Sequence, residues 1–177
     1  LDEWQNAEGF GDLRYYMSEW NVFMSAQADK GLMQASTLLE TMRTMMIRGI
    51  DEATIWGIQY EQLNVRLATL SYVTAGNWTS TLTAGGELFR MMNPSLVGTR
   101  VLDIDTPAAL RSHLLERPED RPEGARDQAV MHAWGSDDRT VIFLSSRTDT
   151  EMQFTLDVNG LIPDWHHVWQ LQMGVLD

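Results

Sequence analysis

The residues best suited to chemistry stand near the front of the chain, at Ser18-Glu19-Trp20-Asn21. A carboxylate flanked by an aromatic ring and an amide is a combination used in sugar chemistry. The carboxylate attacks or stabilises an oxocarbenium-like centre, and rings stack on the apolar face of the sugar. The same four residues also describe a surface glutamate beside a structural tryptophan, and the tetrapeptide alone does not separate the two. Other candidate groups carry less. His166 and His167 are adjacent on a strand-like run, so they point to opposite faces and cannot chelate one ion. His113 and His132 have no ligand spacing around them. Asp103-Ile104-Asp105 and Asp157-Val158-Asn159-Gly160 hold pieces of a calcium loop without its full run of oxygen ligands, and the second reads better as a hairpin turn. Asn77-Trp78-Thr79 is a glycosylation sequon only in a eukaryotic secretory route. No glycine-rich phosphate loop and no Gly-x-Ser-x-Gly elbow occurs. Neither a metal nor a cofactor is expected.

The elements that must position Glu19 alternate between strand and helix. Residues 14–20 are short and aromatic-rich, which predicts a strand with Glu19 near its C-terminal end. Over residues 31–48 the apolar positions Leu32, Ala35, Leu39, Met42 and Met46 recur at three and four, which predicts an amphipathic helix ending at Arg48 and Gly49. Its methionine face reads as packing rather than a groove. Residues 53–60 read as one mostly apolar strand covered on both faces. A polar stretch over 61–83 reads as turn-rich, and 83–92 as a second helix stopped by Asn93-Pro94. Beyond it, 96–104 is a strand candidate. Thr106-Pro107 opens a short helix through Leu114, and 117–127 is a charged, proline-containing loop. Strand-like runs follow at 128–134, 140–146, 151–158 and 166–173, with Asn159-Gly160 as a hairpin signal.

Composition bounds the function. The chain has 177 residues, no cysteine, and 13 basic against 25 acidic side chains, a formal charge of −12. Such an acidic chain has little with which to displace counterions from a phosphate backbone, so no nucleic-acid partner is expected. No run reaches the roughly 18–20 apolar residues of a membrane span, so no membrane partner is expected either. Absence of cysteine removes disulfides, thiolate metal sites and cysteine nucleophiles. The first residues, Leu1-Asp2-Glu3-Trp4, show neither an initiator methionine nor a signal peptide, and the chain is expected to be a piece of a longer product. Two parallel strands cannot bury both faces of a sheet, a second reason to expect a fragment.

Tyr16-Met17-Ser18-Glu19-Trp20-Asn21-Val22 resembles the strand-seven nucleophile segment of retaining clan-A glycoside hydrolases, in particular the arabinofuranosidase- and xylosidase-like branches. The helix at 31–48 and the strand at 53–60 resemble their helix seven and strand eight, and 83–92 their helix eight. Leu96-Val97-Gly98-Thr99-Arg100-Val101-Leu102 resembles the first strand of their C-terminal β-sandwich. The resemblance implies an α/β plus all-β fold: residues 1–95 as the C-terminal portion, the last two βα units, of a TIM-type (β/α)8 barrel, and 96–177 as an antiparallel β-sandwich. It implies Glu19 as the nucleophile that forms a glycosyl-enzyme intermediate, with Asn21 beside it. Trp56 would be a sugar-stacking wall, with a core tryptophan as the other reading. Gln59 and Tyr60 would hydrogen-bond sugar hydroxyls or lie on the rim. The partner acid/base, a glutamate after an asparagine on strand four, has no counterpart here, and Glu3 and Glu8 offer no substitute.

Two readings result. In the first, the chain is the C-terminal fragment of a secreted, extracellular bacterial retaining glycoside hydrolase with a carbohydrate substrate, inactive alone because one carboxyl is missing. It would self-associate through the open edge of the partial barrel. In the second, it is a non-catalytic structural or carbohydrate-binding β-rich module of a large exported acidic protein with calcium-binding repeats elsewhere, and Glu19 is incidental. A Glu19 set in a cleft lined by Trp56 or Tyr60 favours the first, and a solvated Glu19 the second.

Overall fold

The computed structural model describes residues 13–22, 31–57, 59–61, 71–73, 80–104, 118–120, 129–146, 153 and 155–157. The helical period over 31–48 produces helix α1, Leu32–Ile47. Its end is set locally. Gly49 takes φ +74°, and the N–H groups of Arg48 and Gly49 donate to the carbonyls of Thr44 and Met46. A left-handed residue just past a helix turns such donors back onto its last carbonyls. Burial departs from the expected stripe. Residues 34–40 are buried on every side, polar Gln34, Ser36, Thr37 and Glu40 among them. Leu38, off the stripe, is 0% exposed, while Met46, on it, is 44% exposed. The hydroxyls of Thr37 and Thr41 donate to the carbonyls of Met33 and Thr37 at 2.8 Å, which satisfies them inside the packed helix.

Helix α2, Ala84–Leu96, opens on Thr83, whose side chain accepts from the Gly86 N–H at 3.1 Å. The expected stop at Asn93-Pro94 does not occur, and the helix runs through Pro94. Proline there gives up one ladder N–H. Side chains close the helix end instead: the Ser95 hydroxyl donates to Met91, and the Thr99 hydroxyl to Leu96, at 2.8 and 2.7 Å. Gly98, at φ +77°, then turns the chain into the next strand.

Strand β1, Tyr16–Trp20, pairs in parallel with β2, Glu52–Ile55, with α1 as the crossover. A second sheet joins β3, Gln59–Glu61, in parallel to β4, Ser71–Val73, which is antiparallel to β5, Ser80–Leu82. The third sheet is an antiparallel meander of β6, Arg100–Leu102, β7, Ala129–Gly135, and β8, Thr140–Ser146. A 3-10 turn covers Pro118–Asp120. The guanidinium of Arg139, past the β7–β8 turn, donates to the Val97 carbonyl after α2 and ties the meander to the helices.

Several expectations are corrected. The single strand at 53–60 is broken at Gly57, whose φ of +75° leaves the extended region. Its two halves enter different sheets, and β2 is mostly exposed rather than covered on both faces. The polar stretch 61–83 contains β4 and β5. The barrel end followed by a β-sandwich is overturned. A barrel needs its successive strands in one sheet, and a sandwich needs two sheets face to face. The described residues form separate sheets of two, three and three strands. Their core lies between helices and strands: Trp20 of β1, Ala35, Leu38 and Leu39 of α1, Leu88 and Met92 of α2, and Trp134 of β7. Trp134 is closed by the edge of Phe143 from β8, with ring centroids 5.5 Å apart. The meander therefore packs on the helical layer, and one core spans both sides of position 95. Among the described residues β1 and β2 stand as a two-stranded sheet. The helix expected over 106–114, the strand at 166–173 and the Asn159-Gly160 hairpin lie outside the described residues. In the run 151–158 the described residues, Gln153 and 155–157, are not in a strand. Among the described residues no helix is long and apolar enough to cross a membrane.

Candidate functional site

The site is built by the register of β1 against β2. Met17 pairs with Ala53 and Trp20 with Ile55, so three steps on β1 face two on β2. One extra residue on a strand is a β-bulge, and it reverses the alternation of faces beyond it. Regular alternation from Met17, which packs against the core, would turn Glu19 inward and Trp20 outward. The bulge does the opposite: Ser18 and Glu19 are both exposed, and Trp20 is buried in the core. A carboxylate is thereby kept out of an apolar interior where its charge would be costly. Glu19 has no hydrogen bond or ion pair among the described residues.

Trp56 follows β2 directly and is 44% exposed, so it is not the core tryptophan that the second reading of that residue required. Its backbone is fixed on both sides. The Trp56 N–H donates to the Trp20 carbonyl at 2.9 Å, and the Asn21 amide donates to the Trp56 carbonyl at 3.0 Å. The amide oxygen of Asn21 accepts from the Val22 N–H at 2.6 Å. Asn21 is therefore a clamp that closes the C-terminal end of the parallel pair. The opposite end is closed likewise: the Tyr15 N–H donates to Asp51 at 2.7 Å, and the N–H groups of Asp51 and Glu52 donate to the Tyr15 carbonyl.

Sequence reasoning missed Tyr16. It is 61% exposed, and its hydroxyl is within 3.0 Å of the Thr54 hydroxyl on the neighbouring strand. The signal was available in the alternation Tyr16 out, Met17 in. Glu19, Asn21 and Trp56 thus come together at one end of the pair, with Tyr16 on the same strand as Glu19. Gln59 and Tyr60 do not join them by pairing, for they lie in β3 opposite Ser71 and Tyr72 in a separate sheet.

The remaining candidates give no second site. His132 is buried in β7, edge-on to Trp134 with ring centroids 6.2 Å apart. Among the described residues no group of three or more histidine, aspartate or glutamate side chains is placed to hold a metal ion. Asp138, in the β7–β8 turn, is held below the usual carboxylate range, chiefly by the hydrogen bond from the Ser136 hydroxyl at 2.5 Å. No protein-family model, curated protein or solved structure matches this chain.

Proposed function

We propose that this chain carries a sugar-contacting surface at the C-terminal end of the β1–β2 pair, within a secreted, extracellular bacterial protein, and that alone it breaks no glycosidic bond. Trp56 lies against the apolar face of a sugar ring, and Glu19 accepts hydrogen bonds from hydroxyl groups. The observation that carries this reading is the pairing itself, which sets an exposed carboxylate and a part-exposed indole at one strand end. The hydrogen bonds from Trp56 to Trp20 and from Asn21 to Trp56 hold that backbone in place, so little ordering remains to be done on binding. Hydrolysis with retention needs a second carboxyl about 5–5.5 Å from the first and a site closed to bulk water. An exposed Glu19 favours contact over catalysis.

The test is retention of the purified chain on insoluble xylan and arabinan, followed by calorimetry with the matching oligosaccharides. Trp56→Ala is expected to weaken binding about 10-fold, the effect of roughly 1.4 kcal/mol, with an unchanged circular dichroism spectrum. Lack of retention, or full retention by the Trp56→Ala chain, overturns the reading.

A second reading keeps Glu19 as the nucleophile of a longer hydrolase. It is favoured by the parallel β1–α1–β2 crossover, which brings Glu19 to the C-terminal end of its strand. In that case a fluoroglycoside inhibitor adds mass at Glu19 in the longer protein, and the present chain turns over no aryl glycoside. Turnover by the purified chain refutes its inactivity under both readings.

A further inference from the structure

A cleft of about 630 Å³ lies between the C-terminal half of α1 and strand β6, remote in sequence from Glu19. Its polar lining is Arg43, Thr99, Arg100 and Asp103, and its apolar walls include Met46, Ile47 and Leu102. Two of these features lack an explanation within the fold. The Arg43 Nε is buried with no hydrogen-bond partner, and among the described residues neither Arg43 nor Arg100 forms an ion pair. Met46 and Ile47 are 44% and 54% exposed, large apolar side chains left uncovered beside those cations.

We infer that this cleft binds a small amphipathic monocarboxylate, its head on the two guanidinium groups and its hydrocarbon body against Met46, Ile47 and Leu102. The charges fit one anion: two guanidinium groups against one Asp103 carboxylate leave a single positive charge. Guanidinium is the side chain suited to carboxylate, because its donors match both oxygens. The carbonyls at the end of α1 would repel an anion, but those of Thr44, Met45 and Met46 already accept from the N–H groups of Arg48, Ile50 and Gly49. The volume lies within the usual range of small-ligand pockets, about 300–1,000 Å³.

Octanoate is the probe, with 1-octanol as the uncharged control and acetate as the control without a hydrocarbon body. Calorimetry on the purified chain is expected to give octanoate at least about 10-fold tighter binding than either control. Amide shifts are expected in residues 43–50 and 99–103. Arg43→Met and Arg100→Gln are each expected to weaken octanoate about 10-fold and leave octanol unchanged. Arg100 is exposed, so its substitution reads the head-group contact even if Arg43→Met disturbs folding. Octanoate binding no tighter than octanol or acetate, undiminished binding by Arg100→Gln, or shifts confined to other parts of the chain would overturn the assignment.

Discussion

Deleting one residue from β1 should cost less than deleting one from β2, and the difference tests the bulge that aims Glu19. Removing Ser18 leaves Met17, Glu19 and Trp20 opposite Ala53, Thr54 and Ile55, a regular ladder. Met17 and Trp20 stay on the core side and Glu19 stays outside, so no apolar side chain changes face. The expected cost is below about 1 kcal/mol, the scale of losing a turn-like irregularity and one exposed serine. Removing Thr54 from β2 does the reverse. Ile55, which packs against the core, turns outward and forfeits about 1.5–3 kcal/mol of burial. Trp56 turns inward into a space shaped for isoleucine, and overpacking adds about 1–3 kcal/mol. The sum is roughly 2.5–6 kcal/mol, a large share of the about 5–15 kcal/mol that holds a domain folded. Urea denaturation of both deletion variants measures it, as a shift of midpoint at constant slope. Equal losses from the two deletions would refute the reasoning, because the extra residue on β1 would then carry structure rather than set direction.

Leu38→Ala empties the most buried position of the helical layer and is expected to cost about 2–5 kcal/mol in denaturant titration. Thr83→Ala removes the acceptor for the Gly86 N–H and is expected to cost about 0.5–2 kcal/mol, with α2 fraying first in hydrogen exchange. Ser136→Ala removes the main cause that lowers Asp138, so its carboxyl pKa should rise toward the ordinary 3.8, followed by its carbon chemical shift against pH. Because the folded pKa is depressed, the Ser136–Asp138 contribution to stability is present above the unfolded pKa and lost as pH falls through the folded one, and the variant should lack this acid-limb dependence.

What the sequence made legible was local. The 3.6-residue period and Gly49 delimit α1, Thr83 starts α2, and the runs at 128–134 and 140–146 with the turn-rich segment between them give β7 and β8 within a residue. These signals act within a few residues of themselves, through caps, turns and alternation. Sheet membership does not. Nothing near Gly57 tells that β2 and β3 part into different sheets, and the polar stretch after it conceals β4 and β5, which join β3 in one sheet. The stripe on α1 pointed to one buried face, yet residues 34–40 are enclosed all round, because burial depends on what surrounds a helix. At the candidate site, Glu19, Asn21 and Trp56 were found by residue type. The bulge was not, since a one-residue difference in register belongs to two strands at once. The barrel was extrapolated from the order of elements, and order does not fix how sheets close.

The core accounts for which side chains of β1 and β2 meet solvent. Trp20 fills the inner side of that pair and shares its cluster with Leu38, Leu88 and Trp134, so the inner face is committed to holding two helices and the meander together. The side chains that the bulge and the ladder leave exposed then include Tyr16, Ser18 and Glu19 on β1, with Thr54 on the other strand and Trp56 just past it. Such an exposed face suits stacking and hydrogen bonding. The same division places the cleft at Arg43 and Arg100 on a different footing. It opens where α1 leaves the core and its apolar side chains are uncovered beside cations. The two proposed sites share no residue, so substitution at one should leave binding at the other intact.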